Sequence, residues 1–441
     1  MQANTPKKKW LVISHGFNMD GRAASLTVTD KIPYLMDAGI EPIVLSAITG
    51  EKDSRFPHYQ LLPWGPAGLR FDFRHYVATK YGRGWMYKIL TPLVSALLLP
   101  FTALEKLLIG LSSQSSWSFA AAHRGEKIIK KQQIELIYSS GGAWSAHYAA
   151  YLIKKLTGKK WIAEIHDPMV IRDDPQDNGT APRKSKDKRF LQRLEGLICR
   201  DADQVWWFTQ GALDYAKLRH PVLGDKGFVV LPGALPPGCE EPLPTQHLYQ
   251  AKLHIAHFGS LANDRSLAPV LAAIAPLLEA NPTIKSRLQI DVYGAALDQA
   301  SVDAIQQLHL EEIVQAHGRI ENDPVTGKTG RERVMEIMRA ADVLLLLHGD
   351  YEWCAEYIPS KSYDYFWSGR PIWGITNRNP FFDEMLTERG AYISHTLDPA
   401  SILQVFQRIE QDWQAQAIPT RAMTTVTPQS AVETILKRVA A

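Results

Sequence analysis

The sequence predicts an α/β protein of two domains, each built on a doubly wound parallel sheet. Two observations lead to this class. Short apolar segments of strand length alternate with segments of helix length, which is typical of parallel sheets covered by helices on both faces. The alternation stops at a proline-rich stretch and then begins again, and 441 residues suffice for two sizeable domains.

The first domain is predicted over residues 1–232. Short apolar runs bounded by turn residues predict its strands, and longer runs between them predict its helices. The strands are expected at residues 10–14, 42–46, 134–139, 161–165, 204–209 and 227–231. Helices are expected at residues 22–38, 143–157 and 188–200.

A linker and a second domain follow. Residues 231–246, LPGALPPGCEEPLPTQ, contain five prolines and two glycines, which predicts a linker over residues 233–250. The second domain is predicted over residues 251–414, with strands at 253–258, 288–293, 313–317, 342–347, 371–375 and 391–395. Its helices are expected at 267–280, 297–308, 331–340, 360–368 and 399–412. The tail, 415–441, is expected to end in a helix at 430–440 that could pack back on the first domain.

Composition excludes several functional classes. The chain is 45% hydrophobic and 22% charged, as globular proteins are, and a net charge of +3 gives no general attraction to nucleic acid. Its three scattered cysteines form neither a disulfide framework nor a zinc motif, which fits a reducing cytosol. No signal-peptide apolar region follows the basic N-terminus, and no window reaches about 18 uninterrupted apolar residues. We therefore expect a cytoplasmic protein with no nucleic-acid partner and no transmembrane span.

The stretch from Glu356 to Pro371, EYIPSKSYDYFWSGRP, predicts a site for a phosphorylated, hydroxyl-rich ligand. It opens a helix near Ser360, where backbone donors are free, and Lys361 at the helix start suits a phosphate. Glu356 and Asp364 stand eight residues apart and suit hydroxyl groups at the carboxyl end of a parallel strand. Hydroxyls and phosphate together indicate a nucleotide-sugar.

The loop after the first strand of the second domain is a second candidate for phosphate binding. Gly259 and Ser260 form a small-residue turn before a helix, and Arg265 follows. Such a turn lets backbone donors approach a pyrophosphate, which an arginine can clamp. The alternative is an ordinary turn with a solvated arginine.

Two further loops are expected at the same edge of this sheet. Tyr293 and Gly294 end one strand, and Ile320 follows the next. A base could bind backbone groups near Ile320. Plain turn glycines are the alternative.

The tripeptide GKT at residues 327–329 does not predict a nucleotide triphosphate loop. The phosphate-loop pattern requires glycine at position 322, where the chain has Asn322, and no apolar strand runs into the stretch. We expect a polar insertion before the helix at 331–340.

Two loops of the first domain are candidates for contact with the acceptor or donor. The loop after the first strand, HGFNMDGRAAS, holds His15, Gly16 and Asp20 and does not match a dinucleotide fingerprint. Capping of the next helix by Asp20 is the alternative. Gly141 and Gly142 form another strand-to-helix turn, which could meet substrate at the helix N-terminus or serve close packing.

The segment EIHDP places His166 and Asp167 at the carboxyl end of a predicted strand, with Glu164 inside the strand. Residues at that end of a parallel strand point toward the ligand side of the sheet. We assign His166 and Asp167 to the catalytic site, with a solvated loop histidine as the alternative.

Residues 71–111 form a possible membrane-interface segment. Residues 89–104 are uncharged and mostly apolar, and Pro92 and Pro100 are expected to interrupt them. Trp85 and Tyr87 stand at the junction with a basic stretch, an arrangement that favours an anionic inner leaflet. The alternative is a buried helical pair on the first sheet. The basic residues are Arg70, Arg74, Lys80, Arg83 and Lys88.

With these motifs in place, the chain resembles GT-B glycosyltransferases of the family 4 type, over roughly residues 10–415. Glu356 and Asp364 match the family's glutamate–seven residues–acidic pattern, and PSKSYDYFWSGRP looks like its proline–serine–lysine helix. The stretch at residues 134–168 resembles the first domain of bacterial members, with His166–Asp167–Pro168 where these carry arginine–aspartate–proline.

The resemblance implies a GT-B fold and retaining transfer from a nucleoside diphosphate sugar to a glycan or lipid-linked acceptor, without a metal cofactor. It implies that Asp364 holds the ribose hydroxyls and Glu356 meets the donor sugar. Arg265 and Lys361 would neutralise the diphosphate, and His166 would contact the sugar or the leaving phosphate. The segment at residues 71–111 suggests a lipid-linked or membrane-surface acceptor, as in cell-envelope polysaccharide assembly at the inner membrane. The alternatives are a nucleotide-sugar 2-epimerase of the same fold and a non-catalytic, two-lobed sugar-binding protein.

Overall fold

The computed structural model describes residues 8–19, 22–110, 114–170, 186–241, 249–262, 265–294, 296–418 and 425–440. The chain divides into two compact units. One comprises Met1–Pro232 together with Pro428–Ala441, and the other comprises Gly233–Thr427.

The first unit is built on a parallel sheet, which has seven strands within the described residues. The strands are β1 (Lys8–Ile13), β2 (Ile40–Ala47), β3 (His58–Leu61), β4 (Ile134–Gly141), β5 (Lys160–Ile165), β6 (Gln204–Trp207) and β7 (Gly227–Val229). Their order is β3-β2-β1-β4-β5-β6-β7, so the winding direction reverses between β1 and β4.

Helices cover the sheet of the first unit. They are α1 (Ala23–Thr29), α2 (Ile32–Asp37), α3 (Pro66–Tyr81), α4 (Trp85–Leu108), α5 (Ser115–Lys131), α6 (Trp144–Thr157), α7 (Lys186–Asp201) and α8 (Gln210–Arg219). Separate apolar clusters fill the two faces. Trp117 and Trp161 belong to one cluster, and Trp10 and Trp206 belong to the other.

The second unit repeats this winding with a parallel sheet of six strands in the part of the chain that is described. The strands are β8 (Leu253–Phe258), β9 (Leu288–Tyr293), β10 (Val314–Gly318), β11 (Val343–Leu347), β12 (Ile372–Thr376) and β13 (Tyr392–His395). Their order is β10-β9-β8-β11-β12-β13, with the reversal between β8 and β11. All five residues of β11, VLLLL, are buried because both faces of the sheet are covered.

Seven helices of the second unit lie within the described residues. They are α9 (Ala268–Ala280), α10 (Pro282–Arg287), α11 (Gln299–Gln307), α12 (Gly330–Ala340), α13 (Lys361–Ser368), α14 (Pro380–Thr387) and α15 (Pro399–Gln414). Short 3₁₀ helices stand at Pro221–Lys226 in the first unit and Glu352–Glu356 in the second.

The last helix, α16 (Pro428–Ala440), belongs to the first unit. Val432 and Ile435 are buried in the apolar cluster that holds Trp10 and Trp206. Its last turn is held by the Gln204 amide, which donates to the carbonyl of Arg438 at 2.7 Å. Such bonds satisfy carbonyl groups that have no partner within a helix.

The predicted fold class, two doubly wound parallel sheets, is confirmed. Several elements differ from the prediction, among them the helices α8, α10 and α14, which were not expected. β3 has only four residues and was not expected. The single helix expected at residues 22–38 is two helices, because Pro33 favours the first turn of a new helix and α2 begins just before it.

Helices α3 and α4 form a hairpin whose second helix is not buried. Helix α3 buries Gly68, Asp72 and Val77, whereas no residue of α4 is buried. The expected interruption at Pro92 and Pro100 is wrong, since α4 runs through both prolines over 24 residues. Each proline removes one main-chain hydrogen bond without ending the helix. By length and composition α4 could cross a membrane, although no transmembrane span is expected from the sequence. The alternative of a buried helical pair does not hold for α4.

Candidate functional site

The candidate residues of the second unit lie at the switch point of its sheet. β8 and β11 are neighbours, and the chain leaves them in opposite directions. Gly259 follows β8 and His348 follows β11. In doubly wound sheets ligands bind beyond the carboxyl ends of the strands at this point. The fold therefore gathers the predicted loops at one place on this unit.

Two of these loops touch each other through glycines. Gly259 and Gly294 have φ values of +125° and +146°, which side chains disfavour. A Cβ on Gly294 would lie 2.3 Å from the Gly259 carbonyl oxygen, and a Cβ on Gly259 would lie 2.6 Å from Lys361 Nζ. Because neither glycine has a side chain, the main chain at Gly294 can lie against the main chain at Gly259, and Gly259 can lie against the Lys361 ammonium group.

Lys361 stands beside a neutral histidine at the start of α13. The Nδ1 of buried His257 donates to the carbonyl of Leu345 at 3.0 Å, so Nε2 presents a lone pair. Lys361 Nζ lies 3.3 Å from that Nε2. Burial, followed by the nearby charge of Arg265, lowers the pKa of Lys361 to about 7. Arg265 and Lys361 are therefore two cations close enough to disfavour each other until an anion arrives.

A pocket of about 180 Å³ opens next to this cluster. Arg265, Ser266, His348, Gly349 and Asp350 contribute its polar wall. His348 is fully buried, and its Nε2 donates to the carbonyl of Tyr357 at 3.0 Å. Burial lowers the pKa of His348 to about 4, so the imidazole is neutral at pH 7. The pocket wall thus combines the cationic Arg265, the neutral imidazole of His348 and the acidic side chain of Asp350.

The two candidate carboxylates flank the start of α13. Glu356 ends the 3₁₀ helix after β11 and is only 1% exposed, and Asp364 lies half-buried in the first turn of α13. Ser360 is the exposed N-cap residue, and its side chain makes no capping bond. Gly369 ends the helix in the left-handed conformation, with φ 71°. The structure therefore places Lys361, Asp364 and the helix N-terminus on one short element.

An aromatic ladder lies beside the glycine loops. Tyr293 stacks between Phe258 and His317, with ring centroids 4.9 and 4.6 Å away. Burial raises the pKa of Tyr293 to about 12. Ile320 is half-buried on the loop after β10, and Ser260 is exposed after Gly259. The strand ends beside the loops predicted to meet a base thus carry a partly exposed aromatic stack.

In the first unit, a buried carboxylate fixes the orientation of His166. Glu164 is fully buried, and its oxygens accept from Lys31 Nζ at 2.8 and 2.6 Å, from Tyr138 at 2.6 Å and from Ser140 at 2.7 Å. Burial opposes ionisation, but Lys31 and His166 together hold the pKa of Glu164 well below its usual range. The carboxylate is therefore charged at neutral pH.

His166 completes this network. Its Nε2 lies 3.0 Å from Glu164 Oε1 and 3.0 Å from Ser140 Oγ. Because the carboxylate only accepts, Nε2 carries the hydrogen. His166 stacks on Phe208 at 4.6 Å, and its Nδ1 has no hydrogen-bond partner among the described residues. Nδ1 is thus a buried polar atom of the ring whose hydrogen-bonding capacity this part of the chain leaves unused.

The remaining candidates of the first unit lie at its switch point, between β1 and β4. Gly141 has φ +130°, and a Cβ there would lie 3.2 Å from Ser14 Oγ. Exposed Gly142 lies near exposed Asp167, with 3.5 Å from its ideal Cβ to the Asp167 Oδ2 atom. Half-buried Gly16 follows β1.

The side chain of His15 is packed inside the first unit. Its side chain is 3% exposed, its Nε2 lies 3.3 Å from Asp72 Oδ1, and its ring packs edge-on against Trp117. The side chain thus faces the core of the unit rather than solvent. Asp20 lies outside the described residues.

Sequence reasoning missed His257, His348 and Lys31. A histidine within an apolar strand, as in LHIAHF, and the glutamate within WIAEI both indicate a buried polar group that needs a partner. Neither pattern identifies that partner.

The GKT tripeptide serves as a helix cap. Thr329 and Glu332 form a reciprocal capping box at the start of α12, and Lys328 pairs with Glu336 on the surface. Across the described ranges, no cluster of three or more histidine, cysteine or acidic side chains is arranged to hold a metal ion.

Comparison with known proteins shows the fold. No protein-family model matches the sequence, and no curated protein is significantly similar to it. TarM superposes with a TM-score of 0.63 at 10% identity, over 98% of this chain and 99% of TarM. The lipopolysaccharide outer core galactosyltransferase WaaB gives 0.54 at 9% identity, over 98% and 99%. An E. coli trehalose-6-phosphate structure bound with UDP-2-fluoro glucose gives 0.54 at 13%, over 98% and 96%. The chain has the GT-B fold of these proteins.

Proposed function

We propose that the protein transfers a sugar from a nucleoside diphosphate sugar to an acceptor hydroxyl, with retention of configuration. One observation carries the proposal most directly. Lys361, Arg265 and the glycine loops converge at the switch point of a GT-B fold, where a diphosphate would find two cations and a helix N-terminus. Neighbours of the same fold include a galactosyltransferase and a structure bound with a UDP-sugar.

Each candidate of the second unit has a role in this proposal. Arg265 and Lys361 neutralise the diphosphate, and the Asp364 carboxylate accepts hydrogen bonds from the ribose hydroxyls. The base lies against the loops of Tyr293 and Ile320. Glu356 meets the donor sugar near its reacting carbon. No metal is required by this scheme, because fixed cations supply the positive charge.

The first unit would supply the groups near the acceptor. His166, oriented by Glu164, presents Nδ1 to the donor sugar or the leaving phosphate, and Asp167 and Gly142 line the same loop edge. The bond from the acceptor oxygen to the sugar carbon forms as the bond from that carbon to the diphosphate oxygen breaks. The acceptor proton passes to the departing diphosphate. We assign no covalent nucleophile.

The acceptor belongs, in this proposal, to a polysaccharide or glycolipid assembled on the cytoplasmic side of a cell envelope. The resemblance to family 4 enzymes and the GT-B fold shared with WaaB support this class.

A nucleotide panel tests the donor site. Unfolding temperature is measured with UDP, GDP, ADP and TDP in turn, and one of them is expected to stabilise the protein by about 2.7 kcal/mol at 100 times its Kd. With the donor thus identified, product analysis with and without added acceptor follows. Epimerised donor without acceptor would assign the protein to the 2-epimerases instead, and sugar binding without nucleotide dependence would make it a binding protein.

The lowered pKa of Lys361 predicts that diphosphate binding takes up a proton. The group's pKa is about 7 in the free protein and 10.5 in its ordinary environment, so folding releases the proton between these values. Between pH 7 and pH 10.5 the unfolded chain binds a proton at Lys361 that the folded chain does not. The contribution of Lys361 therefore makes the ligand-free protein more stable as the pH rises through this range. A bound anion restores the charge, so affinity for the diphosphate is expected to fall as pH rises above 7.

Calorimetry at pH 8 in buffers of different ionisation enthalpy measures this uptake. We expect uptake approaching one proton for the native chain and none for Lys361→Met. Equal, pH-independent binding by both proteins would contradict a diphosphate contact at Lys361.

A further inference from the structure

Helix α4 presents an apolar surface that the described residues of its own unit leave exposed. Its outward-facing large side chains are 53–76% exposed, and they run the length of the helix. At about 1.5 Å per residue, 24 residues form an apolar rod of roughly 36 Å. A monomeric soluble protein rarely keeps such a contiguous patch in water. The exposed members include Trp85, Ile89, Leu93, Leu97, Phe101, Leu104 and Leu107.

The exposed charged side chains around this surface are all positive. Two acidic residues stand in residues 62–109, and both are turned inward. Asp72 is fully buried against His15, and Glu105 accepts from the main-chain N–H of Ala67 at 2.8 Å, at the start of α3. The exposed ionisable residues of the hairpin are therefore basic. They are Arg70, Arg74, Lys80, Arg83, Lys88 and Lys106.

Aromatic side chains mark both ends of the hairpin. Trp85 is 71% exposed and Tyr81 is 46% exposed at its tip, and Trp64 is 65% exposed at the opposite end. Tryptophan and tyrosine prefer the headgroup level of a bilayer, where the ring is apolar and its polar atom stays hydrated. Their positions bracket the apolar length of α4.

Contacts of α3 decide how α4 can meet a membrane. α3 is fixed to the body of the unit by Asp72 and by Thr79, whose hydroxyl donates to the carbonyl of Thr49 at 2.8 Å. Glu105 ties the far end of α4 to the start of α3. Because α4 packs on α3, and α3 is fixed to the body of the unit, crossing a bilayer would require α3 to leave its place. We therefore expect α4 to lie along the membrane surface.

We propose that the α3–α4 hairpin docks the first unit on an anionic lipid surface, with α4 lying in the interface and its basic flanks on the headgroups. The apolar side chains of α4 would be buried at the boundary between headgroups and acyl chains. The basic side chains of the hairpin would favour anionic over neutral lipids. This attachment is independent of the chemistry proposed for the site, since it involves none of those residues.

Vesicle flotation of the full chain tests the proposal. We use vesicles of phosphatidylcholine alone and of phosphatidylcholine with about one-third phosphatidylglycerol. The native chain is expected to float with the anionic vesicles and less with the neutral ones. Arg83→Gln with Lys88→Gln should weaken anionic binding about fivefold per charge. Leu97→Glu with Leu104→Glu should abolish flotation, because both charges enter the acyl boundary.

A matched control separates this face from general surface hydrophobicity. Leu156→Glu with Leu218→Glu changes two leucines of the same unit that are 62% and 76% exposed. This protein is expected to float like the native chain. All substituted positions are exposed. Far-ultraviolet circular dichroism and the unfolding temperature are used to confirm that each variant folds.

Two outcomes would overturn the proposal. One is flotation of Leu97→Glu/Leu104→Glu equal to that of the native chain. The other is a native chain that stays unbound and forms a dimer that those substitutions dissociate, which would assign the face to a second copy. Quenching of Trp85 by lipids brominated near the headgroup, measured against Trp85→Phe, should exceed quenching by lipids brominated near the bilayer centre. The reverse order would indicate a spanning helix.

Discussion

Replacing Lys31 by methionine is expected to lower the free energy of unfolding of the first unit by about 3–5 kcal/mol. The Lys31 ammonium lies within 2.8 Å of both Glu164 oxygens, and both side chains are fully buried. Without the ammonium, the carboxylate keeps hydrogen bonds from Tyr138, Ser140 and His166 but loses the lysine charge that compensates its own. A buried, uncompensated charge is among the most destabilising changes available to a folded chain.

Hydrogen exchange read by mass spectrometry can report on the first unit separately from the second. Peptides from β4 and β5 are expected to lose protection in Lys31→Met, while peptides from β8 and β11 keep it. Lys154→Met is the control, since it removes a partly exposed pair with Asp203 and should cost less than about 1 kcal/mol. Similar losses in both variants would show that the buried pair contributes little.

The same pair predicts acid sensitivity. The pKa of Glu164 lies below its ordinary value of 4.5 in the folded chain, so its contribution to stability is present above pH 4.5 and is lost as the pH falls. In Lys31→Met this acid-dependent part should shrink, because the pKa of Glu164 rises when its cation is gone.

Replacing Glu356 by glutamine is expected to lower turnover about 100- to 1,000-fold, with nucleotide binding nearly unchanged. The carboxylate is 1% exposed and lies at the end of the segment that follows β11. The proposed function places it beside the reacting carbon of the donor, where positive charge develops as the diphosphate departs. Glutamine keeps the size and removes the charge, so ground-state packing is retained while the electrostatic stabilisation is lost.

Glu352→Gln supplies the matched control. Glu352 begins the same 3₁₀ helix and pairs with Arg378. Its loss should leave turnover within about threefold of the native rate, since partly exposed pairs contribute at most about 1 kcal/mol. Turnover is measured with the donor that the nucleotide panel identifies, and the unfolding temperature with bound nucleotide verifies that both variants fold. Full turnover by Glu356→Gln would remove it from the site.

Local patterns predict most of the fold. The run of apolar residues in β11 and the glycine–proline boundary after α13 are short-range features, and the two windings follow from their alternation. The break between α1 and α2 and the four residues of β3 carry weaker local patterns. Helix α4 was misread because proline usually ends helices in water, whereas this helix continues through two of them.

The candidate site, like the fold, is predictable from the sequence only in part. Loop positions such as Gly259 and Lys361 are predictable because the carboxyl ends of parallel strands meet at one edge. The side chains that pair with such site residues are not predictable from local patterns. Lys31 and Glu164 are 133 residues apart, and Lys361 and His257 are 104 apart, so only the folded chain shows that these groups meet.

The position of α16 has a consequence for how the protein is made. The first unit ends its main segment at Pro232, yet Val432 and Ile435 complete one of its cores. A ribosome adds about 5–20 residues per second, so roughly 10–40 seconds of synthesis separate the two parts. During that interval the nascent first unit lacks α16, and the apolar side chains that pack against Val432 and Ile435 are uncovered. The order of translation therefore makes the second unit the earlier one to be complete, since its last residue, Thr427, precedes α16.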